Sequence, residues 1–229
     1  MIHTMSITKA AIGLLCESKK ENLLNMVGYS ENWDYDDFRK QVEQRNDLKE
    51  YALQNIRATN DGRFSYCNLA YQILASECSD LSERFGRLVE SPCKGEKEEN
   101  GLTYFYGDGW KWEHSKGQHL GPHGLWMTEA IATKFGEKAK LQNRLQKGVP
   151  LVDGWGGIGK GVFKGYWHGW FYTDNSWFAV GYISQVIAVT PEGVKVRLYE
   201  EDWDVWEKYE ETRMVEGNNF INSVPKLRF

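Results

Sequence analysis

The sequence predicts an α+β fold in a single domain of 229 residues, with N-terminal helices packed on a C-terminal antiparallel β meander. Residues 161–199 carry three runs rich in aromatic and β-branched residues, separated by Asp174-Asn175 and by Thr190-Pro191-Glu192-Gly193. Runs of that composition between turn-forming clusters are expected to be hairpin-connected strands. Apolar residues of the first 90 positions recur instead at helical spacing. Helices thus precede the sheet rather than alternate with it, which suits helices laid on an antiparallel sheet.

Taken in order, residues 1–90 are expected to be helical, 91–124 loop-rich, and 125–210 a helix followed by the meander. A first helix over 6–27 has Ser6 as its cap and Ile7, Ala11, Leu14, Leu15, Leu23 and Leu24 on its apolar side, with Gly28 as its stop. A second, over 34–57, opens with Asp36 and Asp37 at its positive end and carries Phe38, Val42, Leu48, Tyr51 and Ile56. After the turn Asn60-Asp61-Gly62, a third helix over 66–78 places Cys67 in its first turn. Residues 91–101 are polar and rich in helix and strand breakers. Leu102 to Tyr106 reads as a short strand, and Gly107 to Gly124, mixing Gly, His, Trp and charge, as a long irregular loop. A helix over 125–146 with Met127, Ile131, Phe135, Ala139 and Leu145 leads through a glycine-rich loop, Gly154 to Gly161, into the meander.

A net charge of -4 argues against binding nucleic acid through a broad basic surface, since such binding rests on neutralising phosphates. No apolar run approaches the roughly 20 residues needed to span a bilayer. The N-terminus lacks the pattern of a signal peptide. Cys16, Cys67, Cys78 and Cys93 show no CxxC spacing, so reduced thiols in a cytoplasmic setting are the simplest reading, with export by a route without a signal peptide left open.

The chemistry centres on Cys67. A cysteine opening a helix can have its thiolate stabilised by unpaired amides and the positive helix end, and a histidine brought in from elsewhere completes the pair. His168, in the first strand of the meander, is the candidate base, and His123 an alternative. If Asp174-Asn175 is a two-residue turn, Thr173 pairs with Ser176 and His168 falls opposite Gly181, so that Gln185 shares its face and orients the imidazole. A slip of one residue would put Ser184 there. His114, His119 and His123 lack the Cys or carboxylate pattern of a zinc site and read as loop histidines, so neither metal nor other cofactor is expected. Gly154 to Gly161 half-matches a phosphate-binding loop, but Gly161 replaces the Ser/Thr and a strand follows instead of a helix. Seven of the ten tryptophans lie between Trp110 and Trp177 and could form a substrate-binding surface; Trp110, Trp112 and Trp170, with His123, are the candidates, the first two being the most exposed.

The order of a helix-opening cysteine followed by a histidine on a meander resembles the papain-like fold of the NlpC/P60 and CHAP cysteine amidases. It rests on Cys67-Asn68-Leu69-Ala70-Tyr71, on the glycine-rich loop Gly154 to Gly161, and on Gly165-Tyr-Trp-His168-Gly-Trp-Phe-Tyr, across about residues 60–200. The family's Gly-His-Val is Trp167-His168-Gly169 here, and its Phe-Val after the cysteine is Ala-Tyr. The resemblance implies a cysteine amidase or peptidase acting on a peptide or peptidoglycan-like substrate. The other reading is a non-enzymatic module, an SH3-like barrel with a Trp-rich groove for a protein or glycan partner.

Overall fold

The computed structural model describes residues 1–141, 145–151, 159, 161–182, 185–199 and 206–224, with only the backbone described over 206–214. It is a mixture of helix and sheet, as expected. The meander exists and its central turn has the expected register: Thr173 N–H donates to Ser176 O at 2.9 Å, and Phe171 and Tyr172 pair with Phe178 and Trp177. It is longer than three strands. In the order β14-β13-β12-β11-β10-β9 it comprises β9 (Val149–Pro150), β10 (Gly165–Trp167), β11 (Trp170–Tyr172), β12 (Trp177–Gly181), β13 (Gln185–Val189) and β14 (Val194–Arg197). The first apolar run is cut by a hairpin turn at His168-Gly169, where φ is 45° and 90°. The second is cut after Gly181, which pairs with Gln185. His168 is therefore a turn residue and does not lie opposite Gly181.

A second six-stranded sheet replaces the expected loops over 91–124. It contains β1 (Ile2–His3), β4 (Gly95–Glu99), β5 (Leu102–Gly107), β6 (Trp110–Ser115), β7 (Gln118–His119) and β8 (Leu125–Met127), with β1-β8-β6-β5-β4 in order and β7 beside β6. The breakers there are hairpin turns. Glu99 pairs with Leu102 and Ser115 with Gln118, leaving Asn100-Gly101 and Lys116-Gly117 as two-residue turns with φ of 55° and 76°, and of 49° and 78°. All six residues of β6 are buried, so no exposed face marks it as a strand. β8 takes the first residues of the expected 125–146 helix; α7 runs over Glu129–Leu141, and residues 142–144 lie outside the described residues.

The two expected N-terminal helices are each broken. α1 (Ile7–Leu15) and α2 (Glu21–Leu24) replace the first. α3 (Tyr35–Glu43) and α4 (Leu48–Asn55) replace the second, because Arg45 turns left-handed at φ 57° and Asp47 then caps α4 through the amides of Lys49 and Glu50. β2 (Tyr29–Glu31) pairs with β3 (Ile56–Ala58). α5 (Asn68–Glu77) starts where the sequence placed it, and α6 (Leu81–Leu88) follows. α8 (Trp206–Ser223) closes the chain. Among the described residues no helix is long and apolar enough to cross a membrane.

α1 is the hub. Its nine residues are all buried, and it packs on α5, α6, β12 and β13. Cys16, at its C-cap, forms a disulfide with Cys78, at the C-cap of α5, with Cα atoms 5.7 Å apart. This corrects the expectation of four reduced thiols; the free cysteines are Cys67 and Cys93.

Candidate active site

The chain enters α1 sharply. Thr4 is anchored by its amide (3.0 Å) and its hydroxyl (2.7 Å), both donating to Leu125 O of β8. Met5 adopts φ 50°, a left-handed conformation uncommon for a side-chain-bearing residue and found where structure is over-determined, often at functional sites. The end of β12 presses on this entry: a Cβ at Gly181 would lie 2.4 Å from Thr4 O, so only glycine fits. Ser6, half-buried, follows at the N-cap of α1, yet its hydroxyl makes no capping bond to the helix.

The Ser6 hydroxyl oxygen accepts from two side chains. Lys9, one turn on, extends Nζ to 2.7 Å from Ser6 Oγ, and Tyr66 donates its hydroxyl to the same oxygen at 2.6 Å. A spacing of three residues puts side chains on one helix face, so the Ser6–Lys9 contact is set locally. Tyr66 is set by the fold: it immediately precedes Cys67, the N-cap of α5. Lys9 is only 1% exposed; its Nζ also donates to Pro122 O at 2.9 Å and lies 4.9 Å from the centre of the Tyr66 ring. An amine that deep is normally paired with a carboxylate. Lys9 instead spends its hydrogen bonds on a hydroxyl and a carbonyl. The start of α1 also brings the positive end of the helix dipole to Ser6, where negative charge would develop in acyl transfer.

The residues expected from sequence lie elsewhere. Cys67 does open α5, but it is fully buried, its Sγ is 3.4 Å from Glu31 Oε2, and burial followed by the Glu31 charge pushes the thiol up to about 12. Burial and the Glu31 carboxylate thus oppose the thiolate that the helix start favours. His168 has its Nε2 2.8 Å from Glu21 Oε2 and stacks on Trp167. Burial lowers its pKa, against the Glu21 carboxylate that raises it. Gln185 gives both ends of its amide to the backbone of Tyr199, donating to its O at 2.9 Å and accepting from its N–H at 2.8 Å. Among the described residues no hydrogen bond joins Cys67, His168 and Gln185. Ser184 and most of the glycine-rich loop at 154–161 lie outside the described residues.

Trp110 and Trp112 are fully buried against Phe85, and their indole N–H groups donate to Ser91 O and Leu120 O; they are core and not a binding surface. Trp170 is equally buried, stacked on Phe135. The loop histidines are buried too. His123 sits among His3, Tyr35 and Phe38, with neither ring nitrogen bonded among the described residues. His119 bonds to Ser82, and His114 Nδ1 accepts from Gly117 N–H at 3.1 Å.

These imidazoles make the protein acid-sensitive. Burial, aided by Arg39 and then Lys111, lowers His3 to about 3; burial, then His114, lowers His119 to about 3; and burial sets His123 well below its ordinary value. In the unfolded chain each takes up a proton near pH 6.5. Below that pH the unfolded chain binds more protons, so stability falls as pH drops through 6.5 towards 3. Melting temperature measured from pH 7.5 to 4.5 is expected to decline from about pH 6.5 downward; a flat profile would contradict the buried neutral imidazoles.

The site that sequence reasoning passed over had a signal, Ser6-Ile7-Thr8-Lys9, in a segment where Ser6 also reads as a helix cap. No family model matches the chain, and no curated protein matches it.

Proposed function

We propose that the chain is a serine acyl hydrolase, with Ser6 as nucleophile, Lys9 as the group that takes its proton and Tyr66 as the hydroxyl that donates to it. The observation that carries this reading is the convergence of a buried lysine amine and a tyrosine hydroxyl on the hydroxyl oxygen of the half-buried Ser6, 2.7 and 2.6 Å away. Serine–lysine pairs perform acyl transfer on several unrelated folds, and Ser-x-x-Lys is the nucleophile motif of penicillin-binding proteins and of class A β-lactamases. With the Tyr66 hydroxyl donating to it, Ser6 Oγ attacks the acyl carbonyl while its proton passes to the Lys9 amine in its uncharged form. The same group returns a proton to the leaving amine or alkoxide as the carbon–heteroatom bond breaks. Water, deprotonated in turn by that group, then releases the acid from the acyl-enzyme.

The substrate class is an ester or amide, including the peptide and peptidoglycan-like amides expected from sequence. The papain-like cysteine reading keeps that reaction and assigns the nucleophile to Cys67 with His168; the carboxylate partners of both residues favour Ser6 instead. Turnover of p-nitrophenyl acyl esters by wild type and by Cys67→Ala separates the two. Cys67→Ala is expected to keep activity within about threefold, and iodoacetamide at neutral pH to label Cys93 but not Cys67 in the native protein. Loss of turnover in a folded Cys67→Ala variant would return the nucleophile to Cys67.

A further inference from the structure

We propose that Glu31, from the paired strand β2, is a positioning residue that holds the Tyr66 hydroxyl on the Ser6 nucleophile. Its carboxylate gathers the donors that follow Tyr66 in the chain. Glu31 Oε2 accepts from Leu69 N–H at 2.7 Å and from the Cys67 thiol at 3.4 Å, while Oε1 accepts from Asn68 Nδ2 at 3.1 Å. Cys67, the N-cap residue, supplies no side-chain cap of its own, so a carboxylate from another element performs the capping that Ser, Asp or Asn would perform locally.

The surrounding backbone is tied in the same way. Ser65 N–H donates to Met26 O at 2.9 Å, and Cys67 N–H donates to Met26 Sδ at 3.1 Å. Tyr66 is thus clamped on both sides in sequence, by Met26 and by Glu31. Its ring is half-buried, and its hydroxyl ends 2.6 Å from Ser6 Oγ, sixty positions away in the chain. A small rotation of the segment after Tyr66 would move that hydroxyl out of hydrogen-bond range, and misplacement by about 1 Å can cost on the order of 10²-fold in rate. Glu31 bonds to none of the three site groups, so its effect on turnover passes through Tyr66. The assignment also accounts for an inert Cys67: the carboxylate that fixes the helix start opposes ionisation of the thiol beside it.

This inference rests on the serine hydrolase reading, and a double-mutant cycle on ester turnover tests it. Glu31→Gln keeps the size but places an amide NH2 against the Asn68 donor. It is expected to lower kcat about tenfold with KM changed less than about twofold. In a Tyr66→Phe background the same substitution is expected to lower kcat no further, while its effect on Tm is equal in both backgrounds. A purely structural role would give the same loss of kcat in both. Equal losses, or an unchanged kcat in Glu31→Gln, would overturn the proposal. Should Glu31→Gln not fold, Glu31→Asp, which retains the charge and withdraws the carboxylate by one methylene, goes through the same cycle with the same criteria. Failure of the underlying reading shows separately, as turnover retained in Ser6→Ala.

Discussion

Ser6→Ala is expected to reduce ester turnover by at least about 10³-fold, with binding of substrate little changed. Removing the nucleophile of an acyl-enzyme pathway leaves only what positioning and electrostatics contribute, and losses of that order follow in serine hydrolases. The variant should fold normally. The Ser6 hydroxyl caps nothing in α1, but it is a partner of the buried Lys9 amine, so its removal is expected to cost about 1–3 kcal/mol. Lys9→Met, which preserves the stem and removes the amine, should cost about 10²–10⁴ in kcat, the range for loss of a general base. Tyr66→Phe should cost about 10²-fold, at the lower end of that range. A steady-state assay with folding checked by circular dichroism decides between these values and the alternative of unchanged turnover. Unchanged turnover in Ser6→Ala would remove the site from the chemistry.

Reducing the Cys16–Cys78 disulfide is expected to have the largest effect on stability. The bridge closes a span of 62 residues, for which loop-closure entropy gives a contribution of about 4 kcal/mol. In a chain of this size that corresponds to a fall in Tm of roughly 8–16 °C, at 2–4 °C per kcal/mol. Cys16 and Cys78 sit at the C-caps of α1 and α5, the two helices whose N-terminal ends bring in Ser6 and Tyr66. Differential scanning calorimetry with and without a dithiol reductant, repeated on the Cys16→Ser, Cys78→Ser double variant, measures the effect. The double variant should melt at the lower temperature and be insensitive to reductant. Equal melting temperatures for all samples would show that the bridge contributes no stability.

Much of the architecture could be read from residue pattern. Asp174-Asn175 between aromatic runs gave the correct hairpin register, because a two-residue turn fixes which residues face each other. The start of α5 at Cys67 was legible because a polar turn gives way there to Leu69, Ile73 and Leu74. Of the sheet over residues 95–127 only the strand at Leu102 to Tyr106 was legible; the rest was not, for two reasons. Gly101, Gly109 and Gly117 lie in two-residue turns that resemble loop composition, and β6 is covered on both faces, so Trp110, Trp112 and His114 alternate with Lys111, Glu113 and Ser115 without an exposed side. Buried Lys111 is held by Glu99 at 2.8 Å and lies over the rings of Tyr104 and Trp126, an arrangement that no linear pattern announces.

The same contrast runs through the candidate site. Sequence placed the helix start at Cys67, whose sulfur lies beside Glu31, while its neighbour Tyr66 reaches Ser6, the contact on which the proposed site rests. The local half of the site, Ser6 and Lys9, lies in four consecutive residues and is compatible with an ordinary capped helix. What distinguishes it is tertiary: the burial of Lys9 with no carboxylate partner among the described residues, the carbonyl of Pro122 at its Nζ, and the arrival of Tyr66. His168 was drawn into the reading by its place in an apolar run, and the turn at His168-Gly169 gives it another role, against Glu21.

The central claim is that Ser6 is the nucleophile, and covalent labelling with a fluorophosphonate followed by peptide mass spectrometry tests it most directly. The account predicts one adduct per chain, located on Ser6, absent in Ser6→Ala and strongly slowed in Lys9→Met. A native, folded protein that takes no adduct on Ser6, or takes it at another residue with Ser6 unmodified, would contradict the account.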